Sequence, residues 1–334
     1  MHASRLCACQ TDLRGQKEEI VKAIIYNKKL RPDHLVLREI EKPIPKDDEV
    51  LIKVNAVSIN AADYRSMKLG IVPKKKIFGS DIAGTIVQKG THARELNVDD
   101  EIVGDLSGCG FGGFAEYVAA PEHILVKKPT GISFETAAAL PMAAVTALQA
   151  LRDKGKITKG AKVLINGASG GVGSFAVQLA KYYGAEVTGV CGTDNVELVE
   201  SLGADYVVDY TKETIGDRIG YFDIILAVHG KKPLGFYKKL LKQNGTYVLI
   251  GGDLSQVFAS ILFGPFHSIG NKKMKFLFAH PNPKDLSFIL NLTAEEKIKP
   301  IIEKVYAFED IPSAVRYVSK GHARGKQVIS LAER

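Results

Sequence analysis

The stretch Val163-Leu-Ile-Asn-Gly-Ala-Ser-Gly-Gly-Val-Gly173 decides the fold of this chain. A short apolar run leads into a group of glycines, and an amphipathic segment at residues 175–183 follows and stops at Gly184. This order predicts a β-strand, a tight turn and an α-helix. Glycines at 170 and 171 let backbone N–H groups approach a pyrophosphate, and Gly173 lets the helix pack closely on the strand. The unit is typical of a dinucleotide-binding βαβ fold.

The same glycines leave a second interpretation open. Residues 167–171 also satisfy G-x-S-x-G, the nucleophile elbow of α/β-hydrolases, in which Ser169 would attack the substrate. That chemistry requires an acid and then a histidine downstream, and it leaves Gly173 unexplained. The available histidines, none with a distinguishing local signature, are His229, His267, His280 and His322. The serine hydrolase is therefore the weaker alternative.

Apolar runs alternate with helical segments from Lys162 onward. The runs are continuous rather than alternating in apolar character, which indicates burial on both faces, as in a parallel sheet covered by helices. Right-handed crossovers then predict a doubly wound α/β fold. The predicted strands are residues 163–165, 187–190, 206–209, 223–228, 246–250 and 274–278, with helices at 175–183 and 196–202.

The first third of the chain has a different pattern of apolar residues. Short β-branched runs are separated by Pro and Gly, and helical periodicity is scarce before residue 134, which predicts a barrel-like or sandwich-like domain. We expect the tail to return to this domain through helices near 286–292 and 311–319 and a strand at 327–330. The expected divisions are a loose extension at 1–20, a first domain at 21–144, a dinucleotide-binding domain at 145–279 and the return segment at 280–334.

Composition argues against several other classes of protein. The net charge of +8 is compatible with a nucleic-acid partner, but the 45 Lys and Arg residues are dispersed. The 4 cysteines are too sparse for a disulfide framework and lack zinc-ribbon spacing, which favours a reducing cytosol. No apolar run has membrane-spanning length, and residues 1–20 lack the apolar core of a secretory signal. We therefore expect a cytoplasmic protein with neither a membrane nor a nucleic acid as its partner.

The adenosine end of the site is expected at residues 190–195, where the second strand of the dinucleotide unit ends. An acidic residue here binds the ribose hydroxyls of NAD, whereas Arg or Lys accommodates the phosphate of NADP. Asp194 has the charge suited to NAD if it points inward. If it faces solvent at the start of the next helix, it is an N-terminal cap. The sequence leaves both alternatives open.

Several further motifs follow one another in order along residues 21–330. Besides the glycine turn they are residues 57–64 (VSINAADY), 78–84 (FGSDIAG), 113–117 (GFAEY), 144–147 (AVTA), 202–210 (LGADYVVDY) and 321–329 (GHARGKQVI). Together they resemble the zinc-independent quinone oxidoreductase branch of the medium-chain dehydrogenase/reductase superfamily. The resemblance implies a GroES-like catalytic domain of β-barrel type split around a Rossmann domain, a cleft between the two, and a homodimer. It also implies an NADPH or NADH cofactor and a quinone or enone substrate.

The resemblance assigns site residues as well. Asn60, Asp63 and Tyr64 would be the catalytic residues that line the pocket for the substrate and the nicotinamide. Relatives that take NADPH often have a basic residue where Asp194 stands, so Asp194 argues for NADH. The implied cofactor-binding residues are Thr146, Ser169, Gly170, Gly171, Val172, Thr193, Asp194, Asn195, Tyr210, Gly251, Gly252, Phe278 and Lys326.

We expect no zinc. Zinc-dependent relatives have Cys where Asn60 stands and His-Glu where Ser80-Asp81 stands, together with a further set of closely spaced cysteines. Asn, Ser and one Asp do not form the tetrahedral N/S site that zinc prefers. Without a metal to polarise an alcohol or aldehyde oxygen, reduction of a quinone or an α,β-unsaturated carbonyl is favoured, because its delocalised oxyanion needs hydrogen-bond donors alone.

The expected mechanism is hydride transfer from C4 of the reduced nicotinamide to the acceptor. Asn60 or Tyr64 would hydrogen-bond to the developing oxyanion, and water or Tyr64 would return the proton. Asp63 is better explained as a structural hydrogen-bond acceptor than as a general acid. A rival of another class is a nucleotide-binding or structural protein that keeps the pocket without turnover.

Overall fold

The computed structural model describes residues 19–27, 35–229, 232–251, 271–321 and 323–331. Within these ranges one sheet is entirely parallel, and a second is mainly antiparallel with a two-stranded ribbon beside it. None of the helices in these ranges is both long and apolar enough to span a lipid bilayer.

The first third forms the ribbon and most of the mainly antiparallel sheet. Its strands are β1 (Ile20–Tyr26), β2 (Leu35–Glu41), β3 (Glu49–Ile59), β4 (Asp81–Lys89), β5 (Glu101–Asp105), β6 (Tyr117–Pro121) and β7 (Leu125–Lys127). β1 and β2 form the ribbon, while β3 pairs with both β4 and β6, and β5 pairs with β4 and β7. The β-rich first third predicted from the sequence is thus present.

A helix that the apolar pattern did not predict follows β3. This helix, α1 (Ala61–Leu69), begins after Asn60 and ends at Gly70, which is in the left-handed conformation with φ 70°. Asp63, in its first turn, accepts a hydrogen bond from the backbone N–H of Asn60 at 2.8 Å. Such an acceptor satisfies a backbone group that a helix start leaves without a partner. The cap, rather than an apolar stripe, marks this helix.

The central part of the chain forms the parallel sheet and the helices around it. They are α2 (Phe134–Ala138), α3 (Pro141–Gln149), β8 (Lys162–Asn166), α4 (Gly171–Tyr182), β9 (Glu186–Cys191), α5 (Val196–Ser201), β10 (Tyr206–Asp209), β11 (Phe222–Ala227), α6 (Leu234–Leu240), β12 (Leu241–Leu249) and β13 (Lys273–Phe276). The strand order is β10-β9-β8-β11-β12-β13. Buried residues of β8, β11 and α4, such as Ile165, Leu226 and Phe175, lie in one core. The predicted doubly wound sheet is confirmed.

The tail adds α7 (Pro283–Ala294), β14 (Ile302–Tyr306), α8 (Ile311–Ser319) and β15 (Lys326–Ser330). β15 pairs with β3 antiparallel and with β14 in parallel, so the end of the chain extends the first sheet. α7 shares a core with the parallel sheet, and Asp285 on α7 binds Arg152, just after α3, at 2.7 Å. The tail therefore contacts both sheets.

Gly173 is required by the close packing of the start of α4 on the glycine turn. A Cβ atom at this position would collide with the carbonyl oxygen of Gly167 and lie 2.9 Å from the Cα of Ala168. We expect Gly173→Ala to destabilise the protein by about 1 to 3 kcal/mol, because backbone atoms must shift to relieve the overlap. The measurement is thermal unfolding followed by circular dichroism.

Gly235 in α6 is the matched control, since a Cβ there meets no atom of the described residues within 4 Å. Gly235→Ala should stabilise by about 0.5 to 1 kcal/mol through helix propensity alone. A Gly173→Ala protein that unfolds at or above the original temperature contradicts the packing argument.

Candidate active site

A cleft of about 1250 Å³ lies between the two sheets. The parallel sheet contributes the carboxyl ends of β8 and β9, and the first sheet contributes the end of β3 and the start of β15. In doubly wound folds ligands bind at the carboxyl ends of the strands. The cleft is therefore where this fold would place a dinucleotide and its reaction partner.

The glycine turn forms one wall of this cleft. Gly170 is the N-cap of α4 and supplies no side-chain cap, so the first backbone N–H groups of the helix lack intrahelical acceptors. Ser169, Gly170, Gly171 and Val172 all line the cleft. The helix start contributes partial positive charge at the same place. Together these features suit an anionic diphosphate.

The same turn is bound by the tail of the chain. The backbone N–H of Gly325 donates to the carbonyl oxygen of Ser169 at 2.9 Å, and residues 170 and 325 form an isolated parallel bridge. A Cβ at Gly171 would lie 3.3 Å from both the carbonyl oxygen of Gly325 and Cδ of Lys326. The end of the first sheet is therefore in direct contact with the predicted phosphate site.

The hydrolase alternative gains no geometric support. Among the described residues, no hydrogen bond joins the Ser169 hydroxyl to a histidine. His229 and His280 line the cleft, whereas His267 and His322 lie outside the described residues. A serine nucleophile requires a base within hydrogen-bond reach.

Asn60 and Lys326 form a buried polar pair at the floor of the cleft. The Nζ atom of Lys326 donates to Oδ1 of Asn60 at 2.5 Å and lies 3.6 Å from Oδ2 of Asp81. Nδ2 of Asn60 donates to Oγ of Ser80 at 3.2 Å. The amide of Asn60 is thus fixed on both sides, with a cationic group against its oxygen.

The charges of Lys326 and Asp81 are buried and compensate one another. Lys326 is 3% exposed and Asp81 is not exposed. Burial raises the pKa of Asp81 to about 7, and the nearby ammonium of Lys326 opposes that rise. Burial likewise lowers the pKa of Lys326, and the carboxylate of Asp81 opposes it. Asp81 also accepts hydrogen bonds from the Ser58 hydroxyl and from the Met142 backbone N–H, each at 3.2 Å, so both of its oxygens have partners.

Asp63 stands behind the cleft and does not line it. Its two carboxylate oxygens accept from the backbone N–H groups of Asn60 at 2.8 Å and Gly79 at 3.2 Å. Burial raises its pKa to about 7. Its catalytic assignment is corrected accordingly: Asp63 supports the loop that carries Asn60, because the backbone occupies both oxygens.

Tyr64 and Thr146 bring two hydroxyl groups to the cleft. Tyr64 is half-buried, with the ammonium of Lys68 5.2 Å from its ring centroid. Among the described residues, the Tyr64 hydroxyl has no hydrogen-bond partner. Thr146 lies in α3 and is buried. Both hydroxyls can therefore reach a ligand held in the cleft.

The predicted adenosine end lies at a short 3-10 turn, Thr193–Asn195. Thr193 donates to the carboxylate of Asp209 at 2.7 Å, and hydrogen bonds from Thr193 and Thr211 hold the pKa of Asp209 at about 2. Tyr210 is 63% exposed beside Gly192, and both line the cleft.

Asp194 is exposed and lines the cleft within this turn. The N-cap of α5 is Asn195, whose side chain makes no capping bond. The alternative of Asp194 as the cap of the next helix is therefore wrong. Asp194 is thus an exposed residue at the predicted adenosine end of the cleft.

The nicotinamide end differs from the sequence expectation in one respect. Phe278 lines the cleft and is 79% exposed, but it lies beyond β13, which ends at Phe276. The expected strand position for Phe278 is thus wrong, because the strand is shorter than its apolar run. Gly251 lines the cleft, and Gly252 lies outside the described residues.

Sequence reasoning missed four charged residues of the cleft, Arg65, Asp105, Lys232 and Arg324. Arg65 immediately follows the VSINAADY motif, and Arg324 lies inside the GHARGKQVI motif. The motifs could have pointed to both residues. Their charges could not be placed without the fold, because each cleft wall comes from a distant part of the chain.

Known proteins resemble this chain across both sheets. A family of alcohol dehydrogenase GroES-like domains matches residues 46–130, and a family of zinc-binding dehydrogenases matches residues 202–329. The chloroplast envelope quinone oxidoreductase homolog of Arabidopsis thaliana is 34% identical over 87% of this chain and 92% of its own. The chloroplastic NADPH-dependent alkenal/one oxidoreductase of the same plant is 32% identical over 92% of this chain and 79% of its own.

A solved structure supports the same relationship. The quinone oxidoreductase from Coxiella burnetii superposes with a TM-score of 0.85 and 27% identity, over 94% of this chain and 100% of its own. This superposition spans both sheets of the fold described above. The chain therefore belongs to the medium-chain dehydrogenase/reductase superfamily, in its quinone oxidoreductase-like branch.

Proposed function

We propose that this chain is an NAD(P)H-dependent oxidoreductase that reduces a quinone or an α,β-unsaturated carbonyl compound and uses no zinc. The observation that carries the proposal is that the glycine turn and the Lys326–Asn60 pair open onto one cleft. A phosphate-binding wall and a cationic, hydrogen-bonding floor are what hydride transfer to a carbonyl conjugate requires. The relatives named as quinone and alkenal/one oxidoreductases support this choice of substrate class.

The chain's own groups fit a dinucleotide along the cleft. Within the described part of the chain, a Cβ at Gly170 would meet just the Gly167 carbonyl oxygen, at 3.7 Å, which leaves space beside it for a ligand. At the other end, Oδ1 of Asn195 is buried without a hydrogen-bond partner among the described residues, and Asn195 lines the cleft. When bound, the reduced nicotinamide supplies the hydride. The glycine turn orients it, and the two sheets exclude water around it.

The same floor does not fit zinc. The positions at issue hold Asn60, Ser80 and Asp81, which lack the sulfur and imidazole donors of zinc sites. The ammonium of Lys326 already lies between Asn60 and Asp81. A divalent ion there would face this positive charge at close range. We therefore assign the electrostatic role to Lys326.

In this proposal Tyr64 is the catalytic hydrogen-bond donor and Lys326 is a positioning residue. Lys326 holds the amide of Asn60 and adds positive potential near the carbonyl oxygen of the acceptor, where negative charge develops. The Tyr64 hydroxyl can donate to that oxygen and return a proton, and the Thr146 hydroxyl can donate from α3. Asp63 holds the Asn60 loop in place.

The family resemblance and the sparse cysteines support two further parts of the proposal. We infer a homodimer, as the resemblance implies, and a reducing compartment such as the cytosol, because 4 dispersed cysteines do not form a disulfide framework. The alternative function, nucleotide binding without turnover, has the same pocket and differs in rate alone.

The direct test is steady-state oxidation of NADPH and NADH with a panel of quinones and enones. We expect turnover with at least one acceptor, and a rate unchanged by prior dialysis against a chelator, because no step uses a metal. Tight nucleotide binding with no turnover across the panel would favour the binding protein. Loss of rate on chelation, restored by zinc, would contradict the metal-free chemistry.

Removing the Tyr64 hydroxyl isolates the donor role. We expect Tyr64→Phe to lower kcat about 100-fold, as loss of one oxyanion donor does, while nucleotide affinity stays unchanged. Tyr182→Phe is the matched control, because Tyr182 is exposed on α4 and does not line the cleft. A Tyr64→Phe enzyme with the original kcat would show that another group donates.

Removing the charge of Lys326 tests the buried ion pair of Lys326 and Asp81. Lys326→Met leaves Asp81 buried without its cation, which should destabilise the protein by about 3 to 5 kcal/mol. The double change Lys326→Met with Asp81→Asn removes both charges and should recover most of that stability in thermal unfolding. The double variant should still have a reduced kcat. Recovery of both stability and kcat would limit Lys326 to a structural role.

A further inference from the structure

Arg324 reaches the adenosine end of the cleft from a distant part of the chain. Its Nη2 atom donates to the main-chain carbonyl of Asp194 at 2.8 Å, across 130 positions of sequence. Both residues line the cleft, beside Thr193 and Asn195. This is the end of β9, where the doubly wound fold places the adenosine ribose of a dinucleotide.

The main chain around Arg324 is held by several bonds. Its backbone N–H donates to Oε2 of Glu303 at 2.9 Å, and the side chain of Gln327 donates to the same oxygen at 2.5 Å. The hydroxyl of Tyr317 donates to the other oxygen of Glu303 at 2.8 Å. Gly325, the next residue, binds Ser169 of the glycine turn. The guanidinium is therefore presented from a fixed base.

The guanidinium keeps its charge available. Over the described ranges, no carboxylate forms an ion pair with Arg324, and its contact with Asp194 uses the peptide oxygen. Asp209, a buried acid at this end of the cleft, is already engaged by the hydroxyls of Thr193 and Thr211 at 2.7 Å. Arg324 is exposed to the cleft opening, so its remaining N–H groups can bind an anion.

We propose that Arg324 binds the 2′-phosphate of NADPH and makes the chain selective for NADPH over NADH. A planar guanidinium donates two N–H bonds to a phosphate, whereas the 2′-hydroxyl of NADH offers no charge to pair with it. The proposal rests on the nucleotide-binding function above and specifies which nucleotide is used. Asp194, at the same mouth, repels the phosphate and moderates the selectivity without reversing it.

The test is calorimetric titration of the full chain with NADPH, NADH and adenosine 2′,5′-bisphosphate. We expect the unaltered chain to bind NADPH more tightly than NADH. Arg324→Gln should lower the affinity for NADPH and for the bisphosphate about 10- to 100-fold, the range for a lost hydrogen bond to a charged group. The affinity for NADH should change little. Arg324→Lys should bind NADPH with an affinity between those of the unaltered chain and Arg324→Gln. Asp194→Asn should strengthen NADPH binding.

Arg94→Gln is the matched control, because it removes one exposed positive charge outside the cleft. The same NADPH-to-NADH ratio in Arg324→Gln as in the unaltered chain overturns the role of Arg324 while leaving the oxidoreductase intact. If the unaltered chain prefers NADH and Asp194→Asn loses that preference, the role of Arg324 is overturned. Asp194 would then bind the ribose hydroxyls of NADH. Binding of neither nucleotide would overturn the proposed function as well.

Discussion

One backbone hydrogen bond organises the site: the N–H of Gly325 donates to the carbonyl oxygen of Ser169. It joins the last strand of the antiparallel sheet to the glycine turn of the parallel sheet. Gly325 has φ 53°, and a Cβ there would collide with the carbonyl oxygen of Ile301, so the chain turns sharply at this point. On either side of that turn, Arg324 and Lys326 reach opposite ends of the cleft.

This arrangement explains how the proposed zinc-free site can hold positive charge. Lys326 lies under the acceptor end, paired with Asn60 and Asp81. Arg324 lies at the adenosine end, against the Asp194 carbonyl. The helix start of α4 lies between them and adds the partial charge of its free N–H groups. Two of these positive regions, Arg324 and the start of α4, suit a ligand with negative charge at one end and in its middle. The third, Lys326, suits a substrate that gains negative charge as it reacts.

The sequence predicted the parallel sheet well because the signals for its strands and for the glycine turn each lie within a short stretch of the chain. Strands buried on both faces are continuous apolar runs, and the glycine turn has its own signature between β8 and α4. α1 was missed because its evidence is a cap, Asn60 with Asp63, rather than an apolar stripe. β14 was missed because three of its five residues are exposed and two of those are charged. The resemblance to a known family supplied Asn60, Tyr64 and Lys326, but not the bond between Lys326 and Asn60, whose partners are 266 residues apart.

The most direct measurement is a crystal structure of the chain with NADPH. The account predicts the diphosphate at the backbone N–H groups of Gly171 and Val172, and the 2′-phosphate about 3 Å from the guanidinium of Arg324. A nucleotide bound elsewhere, with the glycine turn empty at saturating concentration, would contradict it.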